Sequence, residues 1–265
     1  MNKEAKKVAV VIPHFQAPQA LEVAISHLKA QRGVEVEIFI HDNSENNILF
    51  TKAINIGLRK FAYDSEYEFI LVLNQDANLH PECLAQLLIA MRQNPDAGIC
   101  APIALSSDKS VNWAGSAAAF PWGQHVGFQL TNLPREPFET YWVNGACMLL
   151  RTQMIREIGL LDENMQFVCS DADYSFTARS RGWRCLVVPN AFVEHELSGS
   201  ASFANQWLNK IKYEDQLYYA KKWINGGIYQ QLSLEGPKLT AQYVQQVIAQ
   251  TQQQIDLLAK HLHQK

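Results

Sequence analysis

The sequence predicts an α/β protein with a mainly parallel central sheet, helices on both faces and a C-terminal helical extension. Three observations predict it. Strand-length runs are apolar throughout, VAVVI at 8–12, FILVL at 69–73 and ICAPIAL at 99–105, the mark of strands buried on both faces. Between them lie segments with apolar residues at helical spacing, and such alternation builds a parallel sheet. The runs also end in polar residues, at the edge where sheets of this type receive ligands.

The elements follow in order. VAVVI is the first strand. Residues 21–31 carry Leu21, Ala24, Ile25 and Leu28 on one helical face. Val34, Val36, Ile38 and Ile40 alternate with Glu35, Glu37 and Phe39, which reads as a strand; 53–61 reads as a helix and 69–73 as a buried strand. Pro81 opens a helix with Leu84, Leu87, Leu88 and Met91, and Pro95 lies beyond its end. A strand at 99–105 follows. From 106 to 140 the pattern is broken by Gly115, Pro121, Gly123, Gly127, Pro134 and Pro137, so short strands or loops are expected over the ligand edge. Residues 141–151 are apolar again, 152–159 and 171–181 read as helices, 183–188 and 191–194 as extended, and 203–223 as a helix rich in Lys and Tyr. The last helix has an apolar stripe of Val244, Val247, Ile248, Thr251, Ile255, Leu258 and Leu262, which either packs on the domain or pairs with a second copy of the chain.

Composition narrows the function. With 48% apolar and 18% charged residues, the 265-residue chain is globular rather than disordered. A net charge of −3 argues against general nucleic-acid binding, which needs a basic surface. No apolar run approaches the roughly 18 residues of a membrane helix. The lysines and apolar residues at the start fall short of the roughly 7–15 apolar residues of a signal-peptide core. Five cysteines without a CxxC read as reduced structural thiols, and the chain is expected to be cytoplasmic. Lys210, Lys212, Lys221 and Lys222 on the 203–223 helix are either a solvated face or a peripheral contact with an anionic membrane or a lipid diphosphate. The dinucleotide GxGxxG, the P-loop, the GxSxG elbow and zinc-type Cys/His spacings are all missing.

Four positions stand out for chemistry. Asp76 follows a deep strand whose rigid end suits a metal ligand or catalyst, although Asp is also common in turns and helix caps. Asp42-Asn43-Ser44 ends another strand and offers groups that can read a nucleobase edge, or simply makes a turn. Ser170-x-x-Asp173 reads as a capping box, which leaves Asp171 in the first helical turn, where the helix dipole favours an ionised carboxylate fit to act as a general base. His195 ends a strand between Glu194 and Glu196, as a metal ligand or an ordinary buried or surface histidine.

The order of these features resembles the family 2 glycosyltransferases of GT-A fold, in their rhamnosyltransferase-like branch of bacterial surface-polysaccharide synthesis. Four segments between residues 8 and 223 carry the likeness: VAVVIPHF, IFIHDNSENN with KAINIGLRKF, FILVLNQDAN, and the stretch from VNGACMLLR through GLLDEN, SDAD and RSRG to VEH. The resemblance implies that Pro13, Phe15, Asp42, Asn43, Asn55 and Asn74 line the nucleotide pocket, with Asp42 on the base. It implies that Asp76 and His195 hold Mg²⁺ or Mn²⁺ at the donor diphosphate, that Asp171 is the catalytic base, and that Trp142, Asn144 and Gly145 border the acceptor. The implied division is a glycosyltransferase domain over 1–225, with a nucleotide part to about 105 and an acceptor part beyond, and an extension over 226–265.

The implied reaction is inverting transfer of one sugar from a nucleotide-diphosphate donor to a saccharide or lipid-linked saccharide. The chain departs from the family pattern in the D-x-D segment, where Asn74 and Asn78 flank Asp76, and at Ser170, where Glu is usual. Lys222 in YYAKKW stands where Arg is expected, and an ammonium is a poorer fork for a diphosphate. A sugar-nucleotide pyrophosphorylase would need a glycine- and arginine-rich loop where Pro13-His14-Phe15-Gln16 stands. A catalytically silent carbohydrate-binding or assembly module is the reading that the lost acidic positions favour.

Overall fold

The computed structural model describes residues 7–117, 124–125, 130–196, 206–224 and part of 246–260. Nine strands form one sheet among these residues, with the path β2-β1-β3-β10-β5-β11-β4. β1 (Val8–His14) opens the chain; α1 (Pro18–Lys29), β2 (Val36–Asp42) and α2 (Leu49–Phe61) follow. Next come β3 (Phe69–Leu73), β4 (Asn78–Leu79), α3 (Cys83–Gln93) and β5 (Ala97–Leu105). β6 (Val111–Trp113), β7 (Ser116–Ala117), β8 (Gln124–His125) and β9 (Phe138–Glu139) are the short strands expected between 106 and 140. β10 (Cys147–Arg151), α4 (Thr152–Ile158), α5 (Ser170–Ser180), β11 (Arg184–Glu194) and α6 (Gln206–Ile224) complete the order.

The core of the sheet is parallel. β1 pairs parallel with β2 and β3, and β5 with β11, while β10 is wedged antiparallel between β3 and β5. β3, β5 and β10 are buried at every position, as apolar runs covered on both faces must be. β2 is an edge strand, and its partly exposed, charged face is the usual protection of an open edge. The two extended segments expected at 183–188 and 191–194 are one strand, β11, with a register shift between Val188 and Phe192. The helix expected to open at Pro81 begins at Cys83, because Pro81 and Glu82 form the turn that enters it.

α2 packs tightly on β1. A Cβ on Gly57 would lie 2.4 Å from Val11 Cγ1, so only glycine allows this approach. A second apolar cluster outside the sheet joins Trp142, Met165 and Phe176 to Tyr219 and Trp223 of α6. All five cysteines are free thiols, and burial holds Cys83, Cys100, Cys147 and Cys185 well above their usual pKa.

No helix of the described residues is long and apolar enough to cross a membrane. Of the last helical stripe, Val244, Val247, Thr251, Leu258 and Leu262 lie outside the described residues, as do 203–205 of the preceding helix. Ile255 is buried and Ile248 exposed.

Candidate active site

Register alone gathers the polar strand ends. β1 and β2 pair His14 with Asp42, and β1 and β3 pair Val11 with Val72, so Asn74, Gln75 and Asp76 run level with 13–15. β10 runs the other way and begins opposite Leu73, which brings Asn144 and Gly145 to the same edge. There a cleft of about 840 Å³ opens, lined from the strand ends by residues 13–17 and 74–76 and from the far side by 167–171 and α6. Backbone strain concentrates here. Gln16, Leu49 and Cys169 line the cleft with positive φ, and they are three of the four non-glycine residues in that conformation among those described.

Gln75 ties the strand ends together. Its Oε1 accepts from Phe15 N at 2.8 Å and its Nε2 donates to Phe15 O at 3.2 Å, which fixes the amide orientation. The same Oε1 lies 2.7 Å from His14 Nδ1, which must therefore donate and carry the proton. Pro13 and Phe15 line the cleft, Phe15 with 43% of its surface exposed.

Asn43 lines the cleft too, but its Oδ1 accepts from Ile48 N, so the side chain shapes the loop before α2. Asp42 stands at the rim, outside the lining residues. Its Oδ1 accepts from Ser44 N at 2.9 Å, and the Ser44 hydrogen bonds hold its carboxyl below the usual range. The turn chemistry of D-N-S is therefore present as well.

Asp76 caps no helix, since β4 separates it from α3. Its Oδ1 lies 3.4 Å from His195 Nε2, and Asn74 Nδ2 lies 3.4 Å from the same nitrogen. His195 is placed by β11 and is 9% exposed; its other nitrogen, Nδ1, is buried without a hydrogen-bond partner. One carboxylate oxygen and one imidazole nitrogen fit a divalent cation that takes its other ligands from substrate phosphate and water. They do not make an all-protein cage, and no cluster of three or more His, Cys, Asp or Glu side chains poised for a metal exists among the described residues.

Asp171 sits in the first turn of α5. Its Oδ2 accepts from Gly145 N at 2.8 Å and its Oδ1 from Ala172 N at 2.8 Å. A Cβ on Gly145 would lie 3.2 Å from that Oδ2, so the glycine lets the β10 approach close on the acid. Asn144 also lines the cleft, with its Oδ1 on Ala146 N.

Three expectations need correction. Asn55 is 1% exposed and away from the cleft. Its Nδ2 donates to Leu161 O and Glu163 Oε1 and its Oδ1 accepts from Leu161 N, so it stitches α2 to the loop after α4. Trp142 is buried in the second apolar cluster, 8% exposed, and does not line the cleft. The capping box does not form. Cys169 is the N-cap and makes no side-chain cap. Asp173 instead turns to α6, taking Lys222 Nζ at 2.8 Å and Trp223 Nε1 at 2.8 Å. Burial raises the Asp173 pKa despite the ammonium.

Lys222 is thereby engaged away from the cleft, with a second bond to Asp162 at 2.9 Å. Residues of α6 complete the site. Trp207, which was not foreseen and is 53% exposed, reaches the cleft together with Lys212, one of the four lysines singled out in the sequence. Asp215, wholly buried, accepts from the backbone N–H groups of Gln166, Phe167 and Val168 at 2.7–2.9 Å and so seats the wall that leads to Asp171. Helical periodicity marked α6 but not which of its faces meets the cleft.

Comparison with known proteins agrees with this architecture. The profile of glycosyl transferase family group 2 matches residues 69–263. The chain is 23% identical to the O-antigen biosynthesis protein RfbC of Myxococcus xanthus over 80% of this chain and 19% of that protein. It is 27% identical to the N-acetylglucosaminyl-diphospho-decaprenol L-rhamnosyltransferase of Mycobacterium tuberculosis over 50% of this chain and 48% of that one. The chain thus spans less than half the length of these curated relatives. Among solved structures it is similar to GalNAc-T7 with UDP, GalNAc and Mn²⁺, at TM-score 0.58 and 12% identity over 95% of this chain and 56% of that one. It is also similar to S. aureus TarS 1–349 in complex with UDP, at TM-score 0.55 and 13% identity over 93% and 70%. That likeness is one of fold, the GT-A arrangement. With the profile spanning well over half of its length, the chain belongs to glycosyl transferase family group 2.

Proposed function

We propose that the chain transfers one sugar per encounter, with inversion, from a nucleoside-diphosphate donor to a hydroxyl of a saccharide or lipid-linked saccharide. The setting is bacterial surface-polysaccharide synthesis, on the cytoplasmic side. The rhamnosyltransferase among its relatives makes a deoxyhexosyl donor and a lipid-diphosphate acceptor the first pair to try. The observation that carries the reading is a helix-start carboxylate, Asp171, aimed by Gly145 N into the same cleft as Asp76.

Pro13 and Phe15 pack against the nucleoside while Asp42 at the rim reads its base. Asp76 and His195 would hold Mg²⁺ or Mn²⁺, which when bound offsets negative charge on the diphosphate. Asn144 and Gly145 border the acceptor. An acceptor hydroxyl is a weak nucleophile at neutral pH, so Asp171 takes its proton as the oxygen bonds to the anomeric carbon. The bond from that carbon to the diphosphate oxygen breaks on the opposite face, and its electron pair leaves with the nucleoside diphosphate. The geometry parallels an inverting glycosidase with a sugar hydroxyl in place of water.

A thermal-shift screen of UDP, dTDP and GDP with and without Mn²⁺ identifies the donor class. Asp171→Asn then loses about 10²- to 10⁴-fold in kcat, the usual worth of a general base, while nucleoside-diphosphate binding persists. Undiminished turnover in that variant removes Asp171 from its role.

A further inference from the structure

We propose that Lys212, and not Lys222, is the protein cation that meets the donor's diphosphate. The inference rests on the donor reading above and goes beyond it. Two carboxylates, Asp76 and Asp171, face the cleft, so an entering diphosphate meets charge of its own sign. Among the described residues that line the cleft, Lys212 is the single lysine or arginine. Its ammonium rests 5.7 Å from the ring centroid of Phe167, another lining residue, a cation–π contact that holds the charge at the cleft wall.

Lys222 is committed elsewhere. It bridges Asp162 and Asp173, and Asp173 is 2% exposed, so withdrawing the ammonium would strand a buried carboxylate. It also lies ten residues further along α6, about 15 Å down the helix axis. Asp215 sets which stretch of α6 faces the cleft. It accepts three backbone N–H groups from 166–168 one turn beyond Lys212, so the helix cannot rotate Lys212 away without breaking them. One ammonium on a flexible stem can follow the diphosphate oxygens as the glycosidic bond lengthens, and offset their growing charge.

The test is equilibrium binding of UDP, dTDP and GDP, and of uridine, thymidine and guanosine, in EDTA and in Mn²⁺. In Lys212→Met, affinity for the tightest diphosphate falls about 10- to 100-fold, the usual worth of a charge-assisted contact, and the parent nucleoside binds as before. Lys212→Arg restores most of the loss. Lys222→Met lowers the melting temperature yet keeps the preference for diphosphate over nucleoside, and so does Lys210→Met on the exposed face. Retention of that preference in Lys212→Met, or its loss in a folded Lys222→Met, overturns the proposal. If the wild-type chain binds none of the three diphosphates, the donor reading itself fails and takes this one with it.

Discussion

The two walls of the cleft are built in opposite ways. One is the ends of parallel strands, fixed by sheet register and by apolar burial behind it, with Gln75 stitching Phe15 and His14 in place. The other is a loop and two helix ends, 167–171 and 207–212, with little sheet beneath. It is held by two buried carboxylates, Asp173 and Asp215, that reach across more than forty residues of sequence. Register and apolar burial fix the strand wall; buried carboxylates and backbone donors, together with the cluster around Tyr219 and Trp223, fix the wall that carries Asp171. Loss of a single polar side chain should therefore cost the helical wall more than the strand wall.

The largest effect is expected from Asp215→Ala. It leaves three part-buried N–H groups without their acceptor and should cost about 2–4 kcal/mol in urea unfolding, since a fully buried orphaned donor costs about 1–3 kcal/mol and water reaches these in part. In the folded fraction, turnover should fall further than nucleoside affinity, because the strand wall survives. Equal losses would mean that the two walls are one unit.

Gly57→Ala attacks the strand wall instead. Its Cβ would overlap Val11, so about 1–3 kcal/mol of stability should be lost, and Val11→Ala in the same chain should recover part of it. A simple sum of the two single losses would show that the close approach of α2 is not what glycine provides.

The smallest effect lies behind the strand wall, at Glu37. Hydrogen bonds from Lys7 and Tyr67 lower its pKa from 4.5 to about 2. A depressed folded-state pKa means that the stabilisation is complete above pH 4.5 and fades as the pH falls from 4.5 towards 2. The side chain is solvent-accessible, so the effect is modest. Glu37→Gln should flatten the melting temperature across that window and leave activity at neutral pH alone.

The asymmetry of the walls also explains what could be read from sequence. Apolar runs and polar strand ends are local signals, so β1, β3 and β5 were legible, and Asp76 and the Asn43 turn with them. Asp171 was legible from its place at a helix start. Asn55, placed in the pocket only by the resemblance, misled because a matching motif does not show that the amide serves the backbone at Leu161. Asp173 misled because the spacing of a capping box cannot show that Lys222 and Trp223 compete for the same carboxylate. Trp207 and Asp215 gave no local sign, and Lys212 was one of four lysines that sequence could not tell apart, since their roles exist only once α6 has docked.

That docking sets an order of events in the cell. Polypeptides leave the ribosome amino end first, and their early segments begin to fold before the rest is made. The acceptor groups on Asp215 that seat 166–168 are translated forty-nine residues after Gln166. A nascent chain that has emerged to about residue 200 can already pair β1, β2 and β3, yet the wall at 166–168 still lacks its acceptors. The wall at 166–168 therefore gains its seat only after α6 has been made.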